Sequence, residues 1–458
     1  MMSRMALFGS PPADPMFIPQ KPDWAVQVLR RRSVWPKRIV TAALLAVVVL
    51  SPFPAGSNTA ILWMSWAVVI GLAGVIHAQG KGSRVSEFDG STIVIMCLIV
   101  VFLIASLWQA TPLFGTPRSA APLATVLATV RGASYLGFFY LVLCVARSSR
   151  RASLFAHVMV FGVSLHAVLA MVSLKTFGDG GLTFSKTAYF GAATGGFISR
   201  NSFATQLGMG MVLGLALVIR PKRIGRRNSL PWLERVALIL CLFVLLVALI
   251  STESRMGIVA SLIGLLVVLI CSRPVHIANL LIGGLAAVMA ALAFAPGLAA
   301  RFSQIPEAAT TRLELYRQVL EMVRTRPLLG FGNDSFPLAF QMFHAPPVSA
   351  GFVWDKAHST YLTLWSEMGV ILGSLPIIAG GIAAHALWRN IRKRRHAQPL
   401  AVAALGALTV SALHSLFDFS LEIQANMFAL LTLVALGLAQ PNTERKSDDT
   451  CSTTWPKP

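Results

Sequence analysis

Charge is what this sequence has least of. Only 12% of its 458 residues are Asp, Glu, Lys or Arg, where a soluble domain carries about 25%. So little charge cannot cover a water-facing surface of this size, which argues against a string of ordinary soluble domains. Acidic residues are the scarcest: 18, against 39 basic, for a net charge of +21. Cysteine is also sparse. Cys97, Cys144, Cys241 and Cys271 lie in apolar runs, and Cys451 sits near the C-terminus. None belongs to a CxxC pair, so neither a disulfide framework nor a structural zinc site is indicated. The sequence holds no P-loop, no Rossmann glycine fingerprint and no HExxH, which speaks against a soluble nucleotide-binding domain. No cleavable leader is expected, because roughly the first 36 residues are polar and proline-rich.

Hydrophobicity is what remains. Apolar residues make up 55% of the chain, and the mean hydropathy is +0.68. A membrane-crossing helix needs about 20 mostly apolar residues. Twelve stretches fit: Arg38–Ser51, Thr59–His77, Thr92–Gln109, Ala121–Ala146, Leu154–Leu174, Phe203–Ile219, Val236–Ser251, Met256–Cys271, Ile277–Ala295, Tyr361–Leu387, Leu400–Phe417 and Ile423–Ala439. The expected fold class is therefore all-α, a polytopic integral membrane helix bundle of about twelve transmembrane helices. Arg131 falls inside the fourth stretch, so the membrane part there is expected to start after it.

Lys and Arg near the span ends set the orientation. With both termini cytoplasmic, 27 of the 39 basic residues fall on the inner side, among them Arg30 to Arg32, Arg147, Arg150, Arg151 and Arg392 to Arg395. These runs read as topology determinants instead of nucleic-acid patches. The expected organisation is a cytoplasmic segment over 1–37, a membrane domain over 38–440 and a cytoplasmic tail over 441–458. Within the membrane domain, a partly helical periplasmic loop over 296–358 joins spans nine and ten.

That loop is far longer than ordinary connections, and long loops tend to carry function. Thr311-Arg312-Leu313-Glu314 has the form of a capping box. Leu313, Tyr316, Val319, Leu320 and Val323 follow at helical spacing, with Arg312, Arg317, Arg324 and Arg326 on or near the other face. Such arginines either face solvent from a packed helix or face anionic groups at a membrane surface. Arg255 is harder to place in bulk solvent, because it joins two apolar runs with almost no linker. An arginine in hydrocarbon costs up to about 2.5–3.5 kcal/mol on insertion scales, so it needs a partner. Glu253 is one candidate partner, and an anion at the outer mouth is another. Arg200 closes the glycine-rich segment from Gly178 to Gly196. Arg200, Arg255 and Arg312 all oppose the positive-inside trend, and guanidinium binds phosphate bidentately while staying protonated.

His358 stands where the long loop re-enters the membrane. It is either a polar cap or a proton acceptor, since imidazole titrates near neutrality. His414 and Asp418 are four apart, on one face of the eleventh span. Such a pair either holds helices together, relays a proton or binds a metal. The other histidines (His77, His157, His166, His276, His344, His385 and His396) show no ligand spacing.

Taken in order, these stretches resemble the O-antigen ligase and O-antigen polymerase superfamily of bacterial envelope proteins. Four segments carry the likeness. The first is Phe197-Ile198-Ser199-Arg200-Asn201-Ser202-Phe203-Ala204, and the second is Ser254-Arg255-Met256-Gly257. The third runs from Arg312 through Tyr316 to Arg326-Pro327-Leu328-Leu329-Gly330-Phe331-Gly332. The fourth runs from His358 through Tyr361 to Glu367-Met368-Gly369, and His414-Ser415-Leu416-Phe417-Asp418-Phe419 is a further late feature. Ser359 departs from the pattern, since Asn usually follows the histidine.

The resemblance implies a metal-independent membrane glycosyltransferase with no cofactor, acting on the periplasmic side of the bacterial inner membrane. Its implied donor is undecaprenyl-diphosphate-linked glycan, and its acceptor a glycan or lipid A–core sugar. These relatives act in lipopolysaccharide O-antigen or exopolysaccharide biosynthesis as ligases, polymerases or protein oligosaccharyltransferases. Arg255 and Arg312, assisted by Arg200, are the expected diphosphate-binding residues. His358 is the expected catalytic base or a diphosphate ligand. Arg317, Tyr361, His414 and Asp418 are secondary candidates. The rival class is a twelve-span transporter or lipid-linked oligosaccharide flippase. It predicts matched internal halves, and the long loop has no counterpart in the first half.

Overall fold

The computed structural model describes residues 23–79, 88–112, 118–176, 186, 188–219, 232–272, 305–349, 351, 353–393 and 398–439. Among them there are helices and turns and no strand. Among the described residues eight helices precede the long loop: α1 (Asp23–Leu50), α2 (Ala60–Gln79), α3 (Gly90–Ala110), α4 (Pro122–Ala146), α5 (Ser149–Thr176), α6 (Arg200–Val218), α7 (Trp232–Ser251) and α8 (Arg255–Ser272). The loop contains α9 (Ile305–Thr325) and the short α10 (Phe336–Ala339). Then come α11 (Thr360–Gly373), α12 (Leu375–Lys393), α13 (Pro399–His414) and α14 (Gln424–Leu438). The expected ninth span, Ile277–Ala295, lies outside the described residues.

Seven helices, α2 to α8, are long and apolar enough to cross a membrane alone, and the bent pair α11 and α12 makes eight. α13 and α14 are apolar but shorter, at 16 and 15 residues. The fold is thus a polytopic helical bundle, with eight candidate spans by length and composition among the described residues. α2 and α3 stand at its periphery, with Ile61, Val68, Leu72, Val75 and Ile104 exposed. Large apolar side chains in such continuous exposure suit contact with lipid. α6 is the opposite case, enclosed by α5, α7, α8 and α13. Close approach among α6, α8 and α13 depends on small residues. A Cβ on Gly264 would meet Val410 and the Gly406 carbonyl, and one on Gly406 would meet Val268. Without a hydrophobic drive between helices in lipid, such contact is the main source of association.

The expected tenth span, Tyr361–Leu387, is not one helix. α11 and α12 meet at 73°. The break begins at Gly369, with φ 76° and ψ 166°, a conformation nearly reserved for glycine. It frees carbonyls that would otherwise stay inside the helix. Phe331 N donates to Ser366 O at 3.0 Å, Gly332 N to Glu367 O at 2.8 Å, and Val370 N to Pro327 O at 2.8 Å. The turn after α9 is therefore stitched backbone-to-backbone onto the broken helix. Gln109 of α3 adds its side-chain amide to Leu329 O at 2.5 Å and Glu367 O at 3.1 Å.

Candidate functional site

The long loop builds its own small core. Leu315, Val319 and Met322 of α9 pack with Phe331, Phe336, Phe340, Val348 and Ala357. Two expectations need correction here. α9 starts at Ile305, so Thr311 and Glu314 lie inside the helix and do not cap it. Pro306 suits that earlier start, since proline is tolerated in a first helical turn. The buried stripe is also rotated: Leu313 is 70% and Leu320 41% exposed. Gln318 occupies the buried face, bonding Ala345 through both its amide atoms at 2.7 and 3.2 Å. A polar residue on the inner face hides the true stripe from a purely apolar pattern.

α9 also delivers Tyr316 and Arg312. The Tyr316 hydroxyl donates to His358 O at 2.8 Å and lies 3.4 Å from Leu416 O. Burial pushes its phenol up to about 12, so it stays a donor. His358 is held in a left-handed conformation, φ 52°, with its ring edge-on to Trp354 at 5.8 Å and Phe419 at 5.2 Å. Its Nδ1 is enclosed and has no hydrogen-bond partner among the described residues. Burial holds its pKa below the ordinary imidazole value. Asp418 pulls it up and Arg312 pushes it down, so both charges act at this ring. A neutral imidazole with an uncommitted nitrogen can accept a proton.

Three chain segments meet beside it. Asn201, in the first turn of α6, donates from Nδ2 to Asp418 Oδ1 at 2.8 Å and accepts from Ser254 Oγ at 2.8 Å. Arg255 follows Ser254 as the first residue of α8. Arg200 precedes Asn201, with its guanidinium 3.6 Å from Glu253 and 5.3 Å over the Tyr189 ring. Glu253, one candidate partner for Arg255, thus lies beside Arg200. The segment before Arg200 is pinned by buried His166, whose Nε2 accepts from Gly196 N at 2.7 Å while Nδ1 meets Gln206 Oε1 at 2.9 Å.

His414 and Asp418 do not share a helix face, because α13 ends at His414 and Asp418 lies in the following turn. Each is bound to α6 instead: His414 Nδ1 to Thr205 Oγ1 at 2.5 Å, and Asp418 to Asn201. Ser420 Oγ also donates to Asp418. Tyr361 donates to Ala412 O at 2.9 Å. Arg317 points away, 82% exposed and 4.0 Å from Glu314. Of the expected residues, then, Arg200, Arg255, Arg312, His358, His414 and Asp418 lie in segments that converge, while Arg317, on the same helix as Arg312, turns its side chain to solvent.

A second set of charges went unpredicted. Arg131 of α4 lies 3.4 Å from Asp334, Lys356 lies 3.9 Å from Asp334, and Lys356 lies 3.1 Å from Glu422. Glu367 accepts from Asp334 N at 2.8 Å and Phe336 N at 3.1 Å. Tyr135 donates to Gln424 Oε1 at 2.9 Å. This network ties the loop to α4, α11 and α14, and Lys356 stands two residues before His358. Arg131 inside an apolar run, and Glu367 in the Glu367-Met368-Gly369 motif, were its signals in sequence.

A helical membrane bundle, with a long loop folded back over segments that carry arginines and a partly buried histidine, defines a class of polytopic membrane protein with a site at one face. Residues 240–377 match the model of the O-antigen ligase family, which supports membership in the O-antigen ligase and polymerase family. The matched segment holds Arg255, Arg312, Arg317, His358 and Tyr361, while Arg200, His414 and Asp418 lie outside it. No curated protein matches the chain.

Proposed function

We propose that this protein is a glycosyltransferase that takes glycan from a polyprenyl diphosphate, undecaprenyl diphosphate in a bacterial inner membrane. Transfer occurs on the periplasmic side, with both termini cytoplasmic. The observation that carries this reading is the convergence at Asn201. It joins the start of α6 with Arg200, the start of α8 with Arg255, and the Asp418 turn beside His358. Cations and one neutral base at a single place are what displacement of a diphosphate leaving group requires.

In the proposed step the acceptor hydroxyl oxygen attacks the anomeric carbon. The bond from that carbon to the diphosphate oxygen breaks, and its electron pair leaves with the polyprenyl diphosphate. The hydroxyl proton passes to the His358 imidazole. Arg255 and Arg312, with Arg200 assisting, hold the leaving charge through preorganised donors, the kind of interaction often worth several kcal/mol in a dry site (~3–4 per donor). A positioned base adds about 10²–10⁴-fold. The acceptor is a second lipid-linked glycan for a polymerase or a lipid A–core sugar for a ligase.

Purified protein in detergent, given lipid-linked glycan and an acceptor, should transfer glycan with no membrane gradient. Under those conditions a flippase would show nothing. His358→Ala and Arg255→Ala should each abolish transfer in well-folded protein; full activity in both ends this assignment. Deletion separates the two acceptors. Loss of all long polymer indicates polymerisation, and accumulation of unattached lipid-linked glycan indicates ligation.

A further inference from the structure

α2 and α4 leave a gap between them. An open-sided cavity of about 620 Å³ runs along both helices, from Ala67 to Ala78 on one side and Val130 to Leu141 on the other. Its walls include Gly71, Gly74 and Gly137. Elsewhere in this bundle glycines bring helices together, as at Gly264 and Gly406. At Gly71 and Gly74 they do not: a Cβ built on either would meet nothing within 4 Å, whereas one on Gly137 would touch Ile70 at 3.6 Å. The glycines clear a trough that the protein does not fill. From Ala67 to Ala78 the trough is about 16 Å long at ~1.5 Å per residue. That is roughly one leaflet of a ~30 Å hydrocarbon core.

At His77 the trough meets a second cavity of about 290 Å³, lined by Lys37, Arg147, Arg151 and Ser148, with no acidic residue among the described residues that line it. His77 Nε2 is enclosed there without a hydrogen-bond partner among the described residues. This basic end is the far end of α4 from the long loop. The loop is bonded to the chain just before α4, through Ala120 N and Phe331 O at 2.7 Å. The head of a polyprenyl diphosphate held by Arg255 and Arg312 would sit at the opposite face.

We propose that α1, α2 and α4 form a binding site for one anionic phospholipid. An acyl chain fills the α2–α4 trough, and the phosphodiester lies against Lys37, Arg147, Arg151 and His77. Charge selects the occupant. A purely apolar trough would take any lipid tail, whereas a basic pocket at its inner end favours an anionic head. The inference is independent of the proposed glycosyl transfer.

The test is lipid binding to the purified full chain, by native mass spectrometry and thermal shift, with phosphatidylglycerol, phosphatidylcholine and polyprenyl phosphate as probes. Phosphatidylglycerol should bind tightest. Lys37→Gln, a change of an exposed side chain, should weaken it about fivefold, the effect of one interfacial charge, and leave phosphatidylcholine unchanged. Gly74→Leu fills open space and should fold normally while abolishing retention of phosphatidylglycerol. Equal binding of the two phospholipids overturns the proposal. So does unchanged phosphatidylglycerol binding in both variants. Displacement of phosphatidylglycerol by equimolar polyprenyl phosphate overturns it too, assigning the trough to the glycan donor's tail.

Discussion

Asn201 Nδ2 donates to Asp418 Oδ1 at 2.8 Å, across 217 residues of sequence. The same amide accepts from Ser254, so one side chain fixes three segments that bear candidate residues. Asn201→Ala strips a charged acceptor of its partner, and hydrogen bonds to charged groups are worth about 1.5–3 kcal/mol. Asn201→Asp does more harm, because it sets a second carboxylate against Asp418. The expected order of melting temperature and of transfer rate is wild type, then Asn201→Ala, then Asn201→Asp. If Asn201→Asp matches wild type in both, Asn201 is not the junction of the site.

His358 should give transfer an acid limb at unusually low pH. Its pKa lies below the ordinary value, chiefly through burial. The neutral form therefore persists below about pH 6.5, where a free imidazole would charge. In the pH profile of the transfer rate, the limb should fall below that value, and His358→Gln should remove it along with most activity. Stability moves the same way. Below about pH 6.5 the unfolded chain binds this proton and the folded chain resists it, so folding weakens as pH falls towards the depressed pKa. A rate that already halves above pH 6.5 would contradict His358 as the base.

Helices were the legible part of this sequence, because apolar length alone marks them. The described helices overlap eleven of the twelve expected spans, and the remaining one lies outside the described residues. What was hidden depended on backbone conformation or on partners distant in sequence. Gly369 in an apolar run looks like any helical glycine, yet its positive φ splits the span. Arg200, Arg255 and Arg312 stood out because arginines at span ends expected on the outer side defy the charge asymmetry. Lys356, Asp334 and Glu422 carried no such signal. Each sits in a polar stretch where a charge is unremarkable, and only the fold makes them neighbours. His166 was passed over because buried pinning of a backbone N–H needs no motif.

Lys356 should be the costliest single charge to remove. It is mostly buried between Glu422 at 3.1 Å and Asp334 at 3.9 Å. Burial alone would lower its pKa, but the two carboxylates outweigh this and raise it. Stability from this charge is complete below the unfolded lysine value of about 10.4 and is lost only as pH rises beyond it. Titration of Lys356 itself should thus contribute no pH dependence between pH 6 and 9. Lys356→Met strands Glu422, whose Oε1 already lacks a hydrogen-bond partner among the described residues, and stranding one member of a buried pair costs about 3–5 kcal/mol. Lys356→Met with Glu422→Gln removes both charges and should recover most of the melting temperature. Failure of that rescue would mean that Lys356 acts through packing instead of charge.

Gly369→Ala tests whether the broken helix positions the loop. The φ of 76° strains any residue with a Cβ, by about 1–3 kcal/mol. A Cβ there would also meet the Leu328 carbonyl and the Leu329 amide nitrogen. Neither can yield without opening the Val370 N to Pro327 O bond. The substitution should therefore straighten α11 into α12 or release the α9 turn. Protease susceptibility between Arg326 and Asp334 should rise, while α6, α8 and α13 stay protected in hydrogen exchange. Gly330→Ala meets the same backbone from the other side, at Glu367 and Gly369, and should give the same pattern. Cleavage spread evenly over the chain would point to general unfolding, and an unchanged pattern would mean the stitch between loop and helix does not depend on these glycines.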